Sequence, residues 1–156
     1  MKKSVLILLT FVPLIIGYLT YVNTYTMYGT RSVKYYLLIL LSTVFWFFLG
    51  MLYTRSNWKP IISVLIAHAV FIFSILVYWW QSSIMFNPSL VSLSRLFTAS
   101  TPIVFISEKI AEFLDLNTGV VWTMERHIGL QLLALVYMII VFCFGMHFWK
   151  KQKSKV

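Results

Sequence analysis

Residues 61–80 read IISVLIAHAVFIFSILVYWW, with no Lys, Arg, Asp or Glu among them. The hydrocarbon core of a bilayer is about 30 Å thick, and roughly 20 helical residues cross it. Inside that core no water is available for the backbone N–H and C=O groups, so a spanning segment has to be helical. The segment therefore predicts a transmembrane helix.

Three further stretches have the same character, and they cover residues 5–22, 35–53 and 128–149. In the first of them Pro13 and Gly17 predict a local kink, because proline lacks an N–H and its ring clashes with the preceding helical turn. The expectation is an all-α integral membrane protein, with four transmembrane helices in one membrane domain that covers residues 1–156.

Composition agrees with this class. Hydrophobic residues make up 60% of the chain and charged residues 11%, with a mean hydropathy of +0.86, whereas soluble domains carry about 25% charged residues. A soluble enzyme and a disordered chain are both excluded. The net charge of +9 is a feature of some nucleic-acid-binding proteins, but here the basic residues flank apolar segments, so nucleic acid is rejected as a partner. The single cysteine, Cys143, is interpreted as a packing residue.

The distribution of charge predicts the sidedness of the chain. Four alternating helices place eight basic residues on one side, with no acidic residue: Lys2, Lys3, Arg55, Lys59, Lys150, Lys151, Lys153 and Lys155. The other side receives Arg31, Lys34, Arg95, Lys109 and Arg126 together with all the acidic residues, Glu108, Glu112, Asp115 and Glu125. Because cytoplasmic flanks are enriched in Lys and Arg, we expect a multi-pass cell-membrane protein with both termini cytoplasmic.

The first helix is expected to be retained and not cleaved as a signal peptide. No alanine precedes Ala67, so an Ala-x-Ala cleavage site is missing, and the apolar run is longer than the roughly 7 to 15 residues of a signal-peptide core. Frequent Lys, Ile and Phe also suggest a bacterial source with an AT-rich genome.

The long connection between the third and fourth spans is too apolar for an ordinary solvated loop. Asn87 followed by Pro88 is a helix-start signal, and apolar residues then recur at helical spacing up to Phe113. Residues 84–118 are therefore predicted to form a pair of short amphipathic helices on the outer face. They lie flat on the leaflet or enter it as a re-entrant hairpin, and the flat arrangement is favoured.

Six polar residues form a candidate cluster on the outer face: Glu108, Glu112, Asp115, Glu125, Arg126 and His127. The first three share one helical face. Their carboxylates suit a divalent cation, but the same pattern is expected of a helical face that is simply exposed to water. Arg126 is a candidate phosphate contact and His127 a candidate proton carrier, although a helix start explains an acidic and a basic residue as well. No resident metal or cofactor is predicted.

Two further groups of residues stand out within the apolar segments. His68 lies well inside the third span, where an ionisable residue is a functional hypothesis by default, and Gln131 of the fourth span is its candidate partner. The same His68 also suits a structural hydrogen bond between helices. A candidate aromatic stripe consists of Tyr18, Tyr21, Tyr25 and Tyr28, which would line a groove or simply belong to the interfacial aromatic belt.

These features favour a non-enzymatic accessory, assembly or regulatory subunit in the cell envelope. Its expected partners are the lipid bilayer and either another membrane protein or further copies of the same chain. Two alternatives stay open: a small transporter or channel component, which would use His68 and Gln131, and an interfacial enzyme that acts on a lipid-linked substrate through the outer-face cluster.

Overall fold

The computed structural model describes residues 3–15, 33–83 and 124–153, and all regular structure in these ranges is helical. The elements are α1 (Lys3–Leu9), α2 (Val33–Tyr53), a 3₁₀ turn (Thr54–Ser56), α3 (Pro60–Ser83) and α4 (Met124–Lys153). In the described residues, the three helices α2, α3 and α4 are long and apolar enough to cross a membrane. The all-helical class is thereby confirmed for the described residues, and three of the four predicted spans are helices that could cross a membrane.

The long helices extend beyond the apolar runs that predicted them. The helix α3 ends at Ser83, three residues after the predicted end, and α4 begins at Met124 and ends at Lys153. Apolar counting stops at the first polar residue, whereas backbone hydrogen bonding continues into the interfacial region. The predicted outer helices within 84–118, and the end of the first predicted span, lie outside the described residues.

The kink predicted near Pro13 is present in the first helical segment. The helix α1 ends at Leu9, and helical structure resumes at residues 12–15. The N–H groups of Thr10 and Phe11 bond three residues back, to Ile7 and Leu8, each at 3.1 Å. Pro13 has no N–H for the Leu9 carbonyl and its ring crowds that carbonyl, which explains the break.

A tight turn joins α2 to α3. The Ser56 hydroxyl donates to the carbonyl oxygen of Tyr53 at 2.7 Å and accepts from the N–H of Trp58 at 3.3 Å. Asn57 adopts a left-handed conformation with φ of 59°, which asparagine tolerates better than most residues. Pro60 then stands at the first position of α3, where a missing N–H costs nothing. The chain reverses within six residues, 54–59.

The helices α2 and α4 run parallel, and α3 runs opposite to both. Residue numbers rise together along the α2–α4 contact: the hydroxyls of Thr43 and Tyr137 are 3.3 Å apart, and Arg55 lies over the ring of Trp149. Since α3 starts where α2 ends, Ser83 and Met124 both lie at the far end of the bundle. The 84–123 connection therefore begins and ends on one side, as the predicted alternation requires.

Two glycines set the closest approach between α2 and α4. A Cβ atom on Gly50 would overlap the backbone carbonyl of Phe142, and a Cβ atom on Gly145 would overlap the backbone carbonyl of Phe47. Each glycine thus rests on the main chain of the other helix. Small residues at helix contacts allow this close packing in membranes, where van der Waals contact is a main source of association.

Most side chains of the long helices face outward. The buried share of the apolar windows is 33% for Ile39–Ser56, 39% for Pro60–Gln81 and 33% for Ile128–Gln152. The outward faces carry large apolar side chains such as Leu40, Phe73 and Phe144. Such faces suit lipid or another apolar protein surface, while the buried faces form one continuous core.

Candidate functional site

His68 occupies the centre of the described core. Its side chain has 0% exposure and lies between α2 and α4. The ring stacks on Trp46 with centroids 4.5 Å apart and planes 12° from parallel, and it meets the edge of Phe142 at 5.4 Å. The prediction of His68 as an intramembrane ionisable group stays a prediction; the structure shows that it is buried within an apolar helix and that two aromatic rings enclose it.

The polar contacts of His68 are unequal at its two ring nitrogens. Nδ1 lies 2.9 Å from the carbonyl oxygen of Val64, one turn back in α3; because a carbonyl only accepts, Nδ1 donates. Among the described residues Nε2 finds no hydrogen-bond partner by distance and angle, although the backbone of Met138 approaches the ring. The Nε1 atom of Trp46 and the hydroxyl of Ser63 are also buried, and neither has a hydrogen-bond partner in the part of the chain that the structure describes. The described core therefore contains polar side-chain atoms that are surrounded mainly by apolar side chains.

Gln131, the candidate partner of His68, is also buried, with 1% exposure. It precedes Met138 by seven residues, which corresponds to about 10 Å along a helix. The pairing of His68 with Gln131 stays a prediction. What the structure places directly against the imidazole is aromatic, so the local arrangement is suited to holding α2, α3 and α4 together.

A second site lies at the end of the bundle where α1, the α2–α3 turn and α4 meet. We call it the basic end, and it comprises Lys3, Arg55, Lys59, Lys150 and Lys151, all exposed. The Lys3 ammonium lies 5.6 Å from the centre of the Trp58 ring, and the Arg55 guanidinium lies 4.2 Å from that of Trp149. Three separate elements thus bring their cations to one end.

The first helix joins this end through Tyr53. Its hydroxyl donates to the carbonyl oxygen of Leu6 at 3.4 Å, and its ring contacts Trp58 and Phe142 at 5.7 and 5.4 Å. Tyr53 is only 1% exposed. It therefore links α1 and α4 to the α2–α3 turn.

The remaining predicted sites are only partly described. Glu125, Arg126 and His127 lie in the first turns of α4 by their backbone, but their side chains lie outside the described part. The acidic residues Glu108, Glu112 and Asp115, and the stripe of Tyr18, Tyr21, Tyr25 and Tyr28, also lie outside it. The outer-face cluster and the aromatic stripe stay predictions. In the three described ranges, no three His, Cys, Asp or Glu residues are placed to hold a metal ion.

Sequence reasoning missed the residues that contact His68 and the two glycines beside them. Gly50 and Gly145 are lone glycines inside apolar helices, and small residues of this kind indicate helix contacts in membranes. That signal was available. Trp46 and Phe142 carried no comparable signal, since aromatic residues occur throughout the spans.

Comparisons with family models, with curated proteins and with solved structures gave no match for this chain. Its function has to be inferred from the residues themselves.

Proposed function

We propose that this chain is a non-enzymatic accessory, assembly or regulatory subunit of a larger complex in the cell envelope of a bacterium. In this proposal it crosses the cell membrane four times, both termini are cytoplasmic, and the 84–118 segment lies on the outer face. The chain contributes a stable helical body and offers its surfaces to a partner membrane protein.

The observation that carries the proposal is the closed packing of the described core. Trp46, His68 and Phe142 fill the space between α2, α3 and α4, and Gly50 rests on the backbone of α4. A core that is filled by interlocking side chains has few alternative arrangements. This filled core supports a role in which the chain binds a partner through its outer surfaces. It favours that role over a transport path between α2, α3 and α4.

The outward faces support the same role. About two thirds of the residues in each apolar window are unburied, and many are large apolar side chains. Partner helices in membranes bind such faces through shape and close contact. In this proposal one of these faces, or the outer segment, holds the partner.

The test is gentle detergent extraction of the tagged protein at its native expression level, followed by native mass determination of the intact complex. The expected result is a reproducible complex in which one other membrane protein is present in fixed stoichiometry. Recovery of a lone monomer or a homo-oligomer from several mild detergents would contradict the accessory role.

Two matched variants locate the contact. The triple variant E108Q/E112Q/D115N changes only the predicted outer segment, and H68F changes only the core. We expect the outer variant to lose the partner and H68F to retain it, with equal protein levels in the membrane. The reverse pattern would move the function to the core.

A transport role is the second candidate, because His68 is an ionisable residue buried within an apolar span and such residues often mark ion pathways. Its test is reconstitution of the purified protein into liposomes that contain a pH-sensitive dye. Proton flux that H68F abolishes would favour transport over the accessory role. The enzymatic alternative stays a prediction, which substitution of Glu112 and His127 would test.

A further inference from the structure

The basic end gathers cations, and Glu125 is the one acidic residue within the three described ranges. All four acidic residues of the chain fall within residues 108–125. Glu125, the last of them, lies in the first turn of α4 and precedes Lys150 by 25 residues of that helix, a separation of about 38 Å at 1.5 Å per residue. That distance is several times the Debye length of about 8 Å at physiological salt, so Glu125 does not neutralise the charge of Arg55, Lys59 or Lys150.

Arg55 is held in an orientation that suits an anion. Its guanidinium lies over the Trp149 ring at 4.2 Å, an arrangement in which the ring occupies one face of the cation. The N–H groups of guanidinium point outward in its plane, where they form paired hydrogen bonds with phosphate oxygens. Arg55 is exposed, so its N–H edge is open to such a ligand.

The basic end lies at the limits of the apolar helices, at the level expected for lipid headgroups. The apolar windows end at Ser56, begin at Pro60 and end at Gln152, and Arg55, Lys59 and Lys150 stand at those limits. Trp58 and Trp149 are half-buried beside them, as expected of indole rings at a membrane–water boundary. The anionic headgroups of a leaflet lie at this height and attract basic residues that flank membrane helices.

We propose that the basic end is a binding site for the phosphate group of an anionic phospholipid. Arg55 makes the paired contact with the phosphate, Trp149 fixes the orientation of Arg55, and Lys59 and Lys150 add positive charge. The site is independent of the accessory role, and it gives the protein a preference for anionic over zwitterionic lipid at one leaflet.

The test is native mass spectrometry of the full-length protein, released from nanodiscs that contain equal amounts of phosphatidylglycerol and phosphatidylcholine. We expect wild-type protein to retain phosphatidylglycerol preferentially. R55Q should lower that preference about fivefold, the effect of one charge at an anionic surface, and R55Q/K150Q should lower it further. W149L should weaken binding without any change of charge, because Arg55 is no longer held.

The control is R31Q/K34Q, which removes two charges on the side predicted to lie opposite. It should retain the wild-type preference. R55K separates geometry from charge: it keeps the charge, loses the paired hydrogen bonds, and should bind more weakly than wild type. Lipid binding is compared only among variants whose thermal stability in mild detergent equals that of wild type.

Three results would overturn the proposal. One is an unchanged lipid preference in R55Q/K150Q, and another is an equal loss in R31Q/K34Q, which would mean that net charge alone acts. The third is displacement of the bound lipid by excess soluble glycerol phosphate, which would identify a site for free phosphate.

Discussion

At the scale of single residues, His68 is where structural and functional interpretations compete. Its ring fills the space between Trp46 and Phe142, and its Nδ1 donates within its own helix to Val64. These contacts explain its burial without any further role. A structural histidine of this type is replaced best by another flat ring, whereas a proton carrier is not replaced by any apolar residue.

We therefore expect H68A to lower the stability of the purified protein by about 1–3 kcal/mol, because it leaves a cavity between two rings. H68F should lose much less, since it keeps a flat ring against Trp46. Thermal unfolding in mild detergent measures both. Equal stability of H68A and wild type would contradict a packing role for this residue.

At the scale of elements, the parallel pair of α2 and α4 depends on two glycines that rest on opposing backbones. The Thr43–Tyr137 contact at 3.3 Å and the Phe47–Phe148 ring contact at 5.8 Å lie along the same interface. Polar contacts between membrane helices contribute about 0.6 kcal/mol on average. The close approach at Gly50 and Gly145 is therefore the larger determinant of how these helices pack.

The fourth helix supplies its own control for this conclusion. G145A places a Cβ atom against the Phe47 carbonyl, so the helices must separate and we expect a loss of about 1–3 kcal/mol. For Gly129 in the same helix, no atom of the described residues lies within 4 Å of an added Cβ, so G129A should be neutral or gain up to about 1 kcal/mol of helix propensity. Thermal unfolding in mild detergent compares the two variants. Equal effects of G145A and G129A would contradict the conclusion that Gly145 sets the approach of α2 and α4.

The break in the first helical segment is a property of one residue. In P13A the new N–H can bond to the Leu9 carbonyl, so we expect Thr10 and Phe11 to become α-helical. P60A is the matched control, because Pro60 already stands at a helix start and its replacement should leave α3 unchanged. Backbone chemical shifts in micelles report both. A persistent break in P13A would place its cause elsewhere in the fold.

At the scale of the whole molecule, the described helices gather the cations of α1, the α2–α3 turn and α4 at one end. Because α3 runs back from that end, the 84–123 connection begins and ends at the other. This arrangement agrees with the predicted alternation. Which end is cytoplasmic is a proposal from the positive-inside rule, and it is open to a direct test.

Single-cysteine labelling provides that test. In a C143A background, Q152C introduces a thiol at an exposed position near the end of α4, and N117C introduces one in the predicted outer segment. A membrane-impermeant maleimide applied to intact cells should label N117C and spare Q152C, while broken cells should allow both to react. Labelling of Q152C in intact cells would reverse the proposed orientation.

The sequence by itself predicted the three long apolar helices that the structure describes and the break in the first helical segment. Both properties are local: a bilayer requires continuous apolar length and satisfied backbone hydrogen bonds, and Pro13 lacks an N–H wherever it stands. His68 was also recognisable as an unusual polar residue, because its surroundings along the chain are apolar.

Only the tertiary structure decided which rings enclose His68, which helices meet at Gly50 and Gly145, and that Arg55 lies over Trp149. Apolar side chains are as well solvated by lipid as by one another, so hydrophobicity does not select helix partners inside a membrane. The choice of helix partner depends on whether two helix surfaces fit together at close range. That fit is a property of the pair, so it cannot be read from either segment alone.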